Sequence, residues 1–127
     1  MYLNRIRITF FTRITGNGYY YISGATNVCE DDENNKMDLI CPEHQVILIF
    51  SIAFGRLNSH ICPEETDSEE VVNTNCDSES SWAVGFEKCM GKQNCTLIAS
   101  SEEFGDPCPG IRKYLSVSFT CRPSKIA

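Results

Sequence analysis

No stretch of this 127-residue chain is apolar for long enough to cross a bilayer as a helix. That crossing takes about 20 apolar residues in succession, and the most apolar run covers only residues 45–54. Basic side chains are scarce beyond residue 28, because Arg5, Arg7 and Arg13 precede it and leave eight Lys and Arg against 17 Asp and Glu, a net charge near −9. Such a surface repels phosphate backbones and acidic leaflets, and no basic stripe with interleaved aromatics offsets it, so nucleic acid and membrane are excluded as partners. Zinc needs cysteine pairs two to four residues apart; the nearest pair, Cys89 and Cys95, has five residues between its members, and His44 and His60 complete no finger. The acidic runs 30–33 and 64–70 lack the alternating carboxylates and central glycine of a calcium loop. No metal or other cofactor is therefore expected, and ligand binding should survive a chelator. An enzyme is not expected either, since there is no Gly-x-Ser-x-Gly elbow and neither histidine has an evident partner for base catalysis.

The amino end is short of apolar residues too. A signal peptide carries an apolar core of about seven to fifteen residues, whereas here Ile8 to Phe11 is soon interrupted by Arg13 and Gly16-Asn17-Gly18. Residues 1–28 are expected to be an extension outside the domain, in a chain that is either a piece of a longer protein or has a different start.

What the chain has in excess is cysteine. All eight lie between Cys29 and Cys121, and the economical reading is four disulfides formed in an oxidising, extracellular compartment. The length suits one domain, with boundaries at 29–122 and a tail at 123–127. Its 93 cysteine-bearing residues make a core that covalent staples have to supplement. Each bridge adds about 2–4 kcal/mol by restricting the unfolded chain, so reduction should unfold the domain.

Periodicity supplies the elements. Val46, Leu48, Phe50, Ile52 and Phe54 alternate with Ile47, Ile49, Ser51 and Ala53, the pattern of a core strand covered on both faces to different degrees. Leu115, Val117, Phe119 and Cys121 take one face of a strand over 113–122, with Tyr114, Ser116, Ser118 and Thr120 on the other. Shorter strands are predicted over 36–41 and 95–100. Between Asp77 and Lys92 the period changes, and Trp82, Phe86 and Cys89 at i, i+4 and i+7 mark the inner stripe of a helix capped by Ser80 or Ser81 and stopped at Gly91. Gly85 weakens that helix unless something packs closely against it. The sum is a small disulfide-rich α+β domain, a short antiparallel sheet of four or five strands with one main helix.

Five strings carry a resemblance. They are Cys29-Glu30, Phe54-Gly55-Arg56, Cys62-Pro63, Asn75-Cys76 and Phe104-Gly105-Asp106-Pro107-Cys108-Pro109-Gly110-Ile111-Arg112-Lys113-Tyr114-Leu115. Together with the ordered cysteines they resemble the galactose- and rhamnose-binding lectin domain found in sea urchin egg lectin, fish egg lectins and latrophilins. Spacing alone leaves 105 pairings open; the resemblance implies Cys29 with Cys62, Cys41 with Cys121, Cys76 with Cys108, and Cys89 with Cys95. It also implies a calcium-independent lectin for glycans containing galactose or L-rhamnose. Glu30 would accept from neighbouring hydroxyls, Lys113 would donate to hydroxyl oxygens, and the loop from Asp106 to Gly110 would shape the floor, charge-assisted bonds being the stronger kind.

Each of these residues has a plainer reading. Glu30 opens an acidic run that composition describes as a solvated loop, and Lys113 sits where an exposed lysine starts a strand. Asp106 braces its loop by pairing with Arg56, and Arg56 is more a clamp on carboxylate or carbonyl groups than a ligand contact. Gly55 and Gly110 answer backbone demands, and Pro107 and Pro109 stiffen the loop.

The chain also departs from the family's strings. Ile52-Ala53-Phe54-Gly55-Arg56 stands where sugar-binding members read Ala-Asn-Tyr-Gly-Arg, and Gly110-Ile111-Arg112-Lys113 where they read Gly-Thr-Tyr-Lys. Lost hydroxyl and amide groups weaken a sugar site, which keeps a second reading open. In it the domain is an extracellular adhesion module that meets a receptor protein through surfaces such as the acidic loop 64–70. Asn94-Cys95-Thr96 is an acceptor sequon for N-glycan. The chain carries a single lectin repeat, so avidity would come from self-association or a neighbouring repeat.

Overall fold

In a computed structural model of the chain, residues 7–14, 20–57, 61–62 and 75–124 are described. Five strands form an antiparallel sheet in the order β1 (Arg7–Ile14), β2 (Tyr20–Cys29), β7 (Tyr114–Pro123), β4 (Gln45–Arg56), β5 (Cys76–Asp77). A separate antiparallel pair joins β3 (Lys36–Ile40) to β6 (Asn94–Ile98). Helix α1 (Ser81–Cys89) packs on β4 and β6, and a four-residue helix, α2 (Ser101–Phe104), precedes the loop into β7. The α+β class and antiparallel pairing follow the expectation. The strand set is larger, with β1, β2 and the two-residue β5 added and β3 and β6 set apart.

The sheet also reaches past the expected boundary at residue 29. β2 pairs with β7 from Ile22 opposite Cys121 to Cys29 opposite Tyr114, and Thr26 and Val28 are buried.

β7 is the central strand, and Leu115, Val117, Phe119 and Cys121 all turn into the core as their alternation predicts. Its other face is more covered than expected, with Tyr114 and Thr120 buried. β4 breaks the strict alternation. Its pairing with β7 shifts register between Ile49 and Ser51, so Ile47 and Ile49 are buried before the irregularity and Phe54 after it, while Phe50 is exposed. One extra residue in a strand reverses the parity of everything beyond it.

The predicted inner stripe of α1 is corrected. Trp82 and Phe86 are 48% and 57% exposed, and the buried residues are Ser81, Gly85 and Cys89. The reason is proximity: a Cβ on Gly85 would stand 2.8 Å from Ile52 Cδ1 and 3.3 Å from Ile49 Cδ1, so only small residues fit between helix and sheet. Capping differs as well. Ser80 is the N-cap without a side-chain bond, while Ser81 Oγ donates to Ser78 O and accepts from Phe54 N–H, fixing the helix start to the end of β4. Gly91 ends the helix at φ +80°, its N–H bonded to Ile47 O.

All eight cysteines are bonded, in the four pairs that the resemblance implies. Cys41–Cys121 ties the end of β3 to β7, Cys89–Cys95 ties α1 to β6, and Cys76–Cys108 ties β5 to the loop before β7.

Candidate functional site

Where β2 and β7 run out together, the ladder gains one more rung. Glu30 N–H donates to Lys113 O at 2.9 Å, and Lys113 N–H donates to Glu30 Oε1 at 3.1 Å. This rung places two of the expected sugar-binding residues side by side, and the loop of residues 105–112 folds over them.

Lys113 is the hub. It is only 3% exposed, and its Nζ lies 2.7 Å from Ile111 O, 3.0 Å from Asp106 Oδ1, 3.2 Å from Cys108 O and 3.5 Å from Glu30 Oε1. An ammonium has three protons, and three oxygens within 3.2 Å take them. Donation to a sugar oxygen would require Lys113 to release one of these partners. What reaches solvent is acceptor: the side chains of Glu30 and Asp106 are 24% and 37% exposed.

Asp106 pairs with Lys113 in place of the expected Arg56, and its Oδ1 also accepts from Cys108 N–H, closing a turn within the loop. Gly110, at φ +84° with open space around its Cβ position, supplies a backbone conformation that a side chain would strain. Arg56, 2% exposed, donates to Ile61 O at 2.9 Å and to Cys62 O. It is a clamp, and because Cys62 is bonded to Cys29 it steadies the segment that carries Glu30. Gly55 is required by close approach, since a Cβ there would sit 1.9 Å from Cys76 O. Phe54 is fully buried and stacks on Phe104 with ring centroids 5.2 Å apart, so it belongs to the core.

Three contributors escaped the sequence reading. Ser101 Oγ donates to Glu30 Oε2 at 3.4 Å, and Asn35 Nδ2 donates to Glu30 O at 3.5 Å and Ala99 O at 3.1 Å. Nothing local flags either residue, because their partners are distant in sequence or are backbone atoms. Arg112, which replaces a tyrosine of the family string, binds Asp31 through Nε at 2.8 and 3.1 Å and reaches Asp32 at 3.7 Å. Here a signal was present: a cation in the loop and an acidic run beside Glu30.

Asn94 of the sequon is exposed at the start of β6, and Thr96 Oγ1 donates to Asp38 Oδ1 at 2.6 Å. His44 lies exposed in the turn before β4, whereas His60 and the acidic loop 64–70 lie outside the described residues. Among the described residues, no three His, Cys, Asp or Glu side chains are placed to hold a metal ion, and no helix is long and apolar enough to cross a membrane.

Comparison with known proteins identifies the family. The family model of the D-galactoside/L-rhamnose binding SUEL lectin domain matches residues 39–121. A D-galactoside-specific lectin of Heliocidaris crassispina is 39% identical over 94 residues, 74% of this chain and 86% of that lectin. The L-rhamnose-binding lectin SML of Scomberomorus niphonius is 38% identical over 90 residues, 71% of this chain and 44% of that protein. The adhesion G protein-coupled receptor L1 of Homo sapiens is 32% identical over 94 residues, 74% of this chain but 6% of the receptor. The matched segment holds seven of the eight bonded cysteines together with Asp106, Gly110 and Lys113. By the extent of these matches, the chain belongs to the D-galactoside/L-rhamnose binding SUEL lectin domain family.

Proposed function

We propose that this domain is a lectin, not an enzyme, and that it binds galactose- or L-rhamnose-type sugars at the Glu30, Asp106 and Lys113 cluster without calcium. One observation carries the reading: two partly exposed carboxylates are held in fixed positions around a single buried ammonium. Vicinal sugar hydroxyls need acceptors of this kind, and charge-assisted bonds to them are stronger than neutral ones. In this reading Glu30 and Asp106 accept from the sugar, and Lys113 sets their separation and balances their charge. The loop that ends at Gly110 forms the floor, and Arg56 acts at one remove by steadying the Glu30 segment. Because the ammonium and the loop carbonyls are already engaged with one another, little ordering remains to be done when the sugar arrives. Four disulfides support an extracellular place of action.

A second reading, an adhesion module that meets a receptor protein, is favoured by one feature. The amide and phenol groups expected at positions 53 and 54 are replaced by Ala53 and the buried Phe54, which removes sugar partners.

The test is a titration of the oxidised full chain with D-galactose and L-rhamnose, with and without chelator, following backbone amide shifts. Saturable shifts at Glu30 and over 106–113, unchanged by chelator, are expected. A folded, fully bridged protein that shows no shift at about 50 mM sugar, where a Kd near 1 mM would be saturated, overturns the lectin reading in favour of protein recognition.

A further inference from the structure

Next to the Glu30 segment lies an open depression of about 350 Å³ lined by Asn35, Ile98, Ser100, Glu102 and Glu103. Its walls belong to the framework that holds Glu30. Asn35 donates to Glu30 O, and Ser101, between the lining residues Ser100 and Glu102, donates to Glu30 Oε2 at 3.4 Å. A ligand that extends past Glu30 on this side meets the depression next. Its volume is at the small end of ligand clefts, which run from roughly 300 to 1,000 Å³, and suits one sugar ring.

The lining has what a ring needs. Ile98 is partly exposed and offers an apolar strip to a C–H face. The two amide hydrogens of Asn35 are committed to Glu30 O and Ala99 O, which leaves Oδ1 to accept. Ser100 Oγ accepts from Glu103 N–H at 3.3 Å and keeps its own hydrogen for donation. The two glutamates differ. Glu103 accepts from Ile98 N–H at 2.8 Å and pairs with Lys88, so it is a wall whose charge is balanced. Glu102 is exposed and sets the sign of the rim.

We infer that this depression is a second sugar subsite, taking the uncharged ring next to the one held at Glu30, and that Glu102 rejects rings bearing sulfate or carboxylate. The inference rests on the lectin reading above and adds the ligand class: neutral oligosaccharides of two or more rings. A charge on the second ring would approach a carboxylate on a domain whose acidic residues outnumber its basic ones, and the resulting repulsion is screened by salt.

The experiment titrates the oxidised full chain with methyl β-D-galactoside, lactose, and lactose sulfated on its glucose ring, at low salt and at about 0.5 M salt. Lactose is expected to bind about 10-fold more tightly than the monosaccharide, a factor that one or two net hydrogen bonds supply. Amide shifts should spread to Asn35, Ile98, Ser100 and Glu102. The sulfated sugar is expected to bind about 5-fold more weakly than lactose at low salt, with the gap closing at high salt and in Glu102→Gln. Equal affinity for lactose and the monosaccharide overturns the subsite while leaving the lectin reading in place. A sulfated sugar that matches lactose, or a gap that Glu102→Gln leaves unchanged, overturns the selectivity. No saturable binding by any of the three overturns the subsite, and it overturns the lectin reading with it where L-rhamnose also fails to bind.

Discussion

Glu30 and Lys113 enter the site as neighbours but respond differently to loss. Glu30 is partly exposed and keeps its backbone rung with Lys113 whatever its side chain. Glu30→Gln removes the charge and preserves the shape, so sugar affinity should fall about 10-fold, the cost of one charge-assisted bond, while the urea midpoint stays nearly unchanged. Lys113 is buried, and its removal leaves the carbonyls of Ile111 and Cys108 without their donor and two carboxylates facing one another. Lys113→Ala should therefore cost at least about 1–3 kcal/mol in urea unfolding and lose sugar binding through a displaced loop. A Lys113→Ala protein as stable as the parent would show that the hub is not structural. The family strings in the sequence pointed to both residues, but not to this difference, because whether an ammonium is free or enclosed depends on how residues 105–112 fold back over it. Arg112 makes the same point. Its bond to Asp31 needs the turn after β2 and the loop before β7 to meet, and they are 81 residues apart.

At the scale of elements, the two strongly apolar strands β4 and β7 were legible, as were the short β3 and β6, whereas β1, β2 and the two-residue β5 were missed. The inward face of β7 was legible to the residue because each inward position is apolar, while its bounds lie one residue later than expected and its outer face is more covered. β4 was legible as a strand but not in its facing, since the irregularity after Ile49 reverses parity within a run that is apolar throughout. α1 was legible as a helix but not in its orientation: aromatic side chains at helical spacing look like a core stripe, yet the close approach at Gly85 admits only small residues. Two glycines separate these effects experimentally. At Gly85 an added methyl meets the mobile ends of Ile49 and Ile52, and the helix gains up to about 1 kcal/mol of propensity, so Gly85→Ala should be close to neutral. At Gly55 the added methyl would collide with the backbone carbonyl of Cys76, and β5 must move. Cys76 is bonded to Cys108, in the loop over Lys113. Gly55→Ala should therefore both lower the urea midpoint and weaken sugar binding, whereas Gly85→Ala should leave binding as it was. Equal effects from the two variants would refute the route from β5 to the loop.

For the whole molecule, the covalent frame was the most legible property, and its four bridges are not equivalent. In the chain-entropy account, a crosslink stabilises by shrinking the unfolded ensemble, and the effect grows with the logarithm of the loop it closes. Cys41 and Cys121 are 80 residues apart, Cys89 and Cys95 only 6. On that account the long bridge contributes about 4.5 kcal/mol and the short one about 2.2 kcal/mol. Both cysteines of the long bridge are buried in the core, Cys121 on β7 itself, so substitution there adds a packing defect to the entropic loss. Cys95 is only partly buried, in the edge pair β3–β6. Replacing Cys41 and Cys121 together by Ser should unfold the domain or move its urea midpoint at least twice as far as replacing Cys89 and Cys95 together. The proposed sugar site separates the two pairs further. The long bridge fixes β7, which Lys113 immediately precedes, whereas the short one ties α1 to β6 and holds none of Glu30, Asp106 and Lys113. A Cys89→Ser, Cys95→Ser protein that folds should thus retain galactoside binding at Glu30. If instead the two double variants lost equal stability, loop entropy would not be what the frame supplies, and the strain or solvation of each bridge would have to account for its worth.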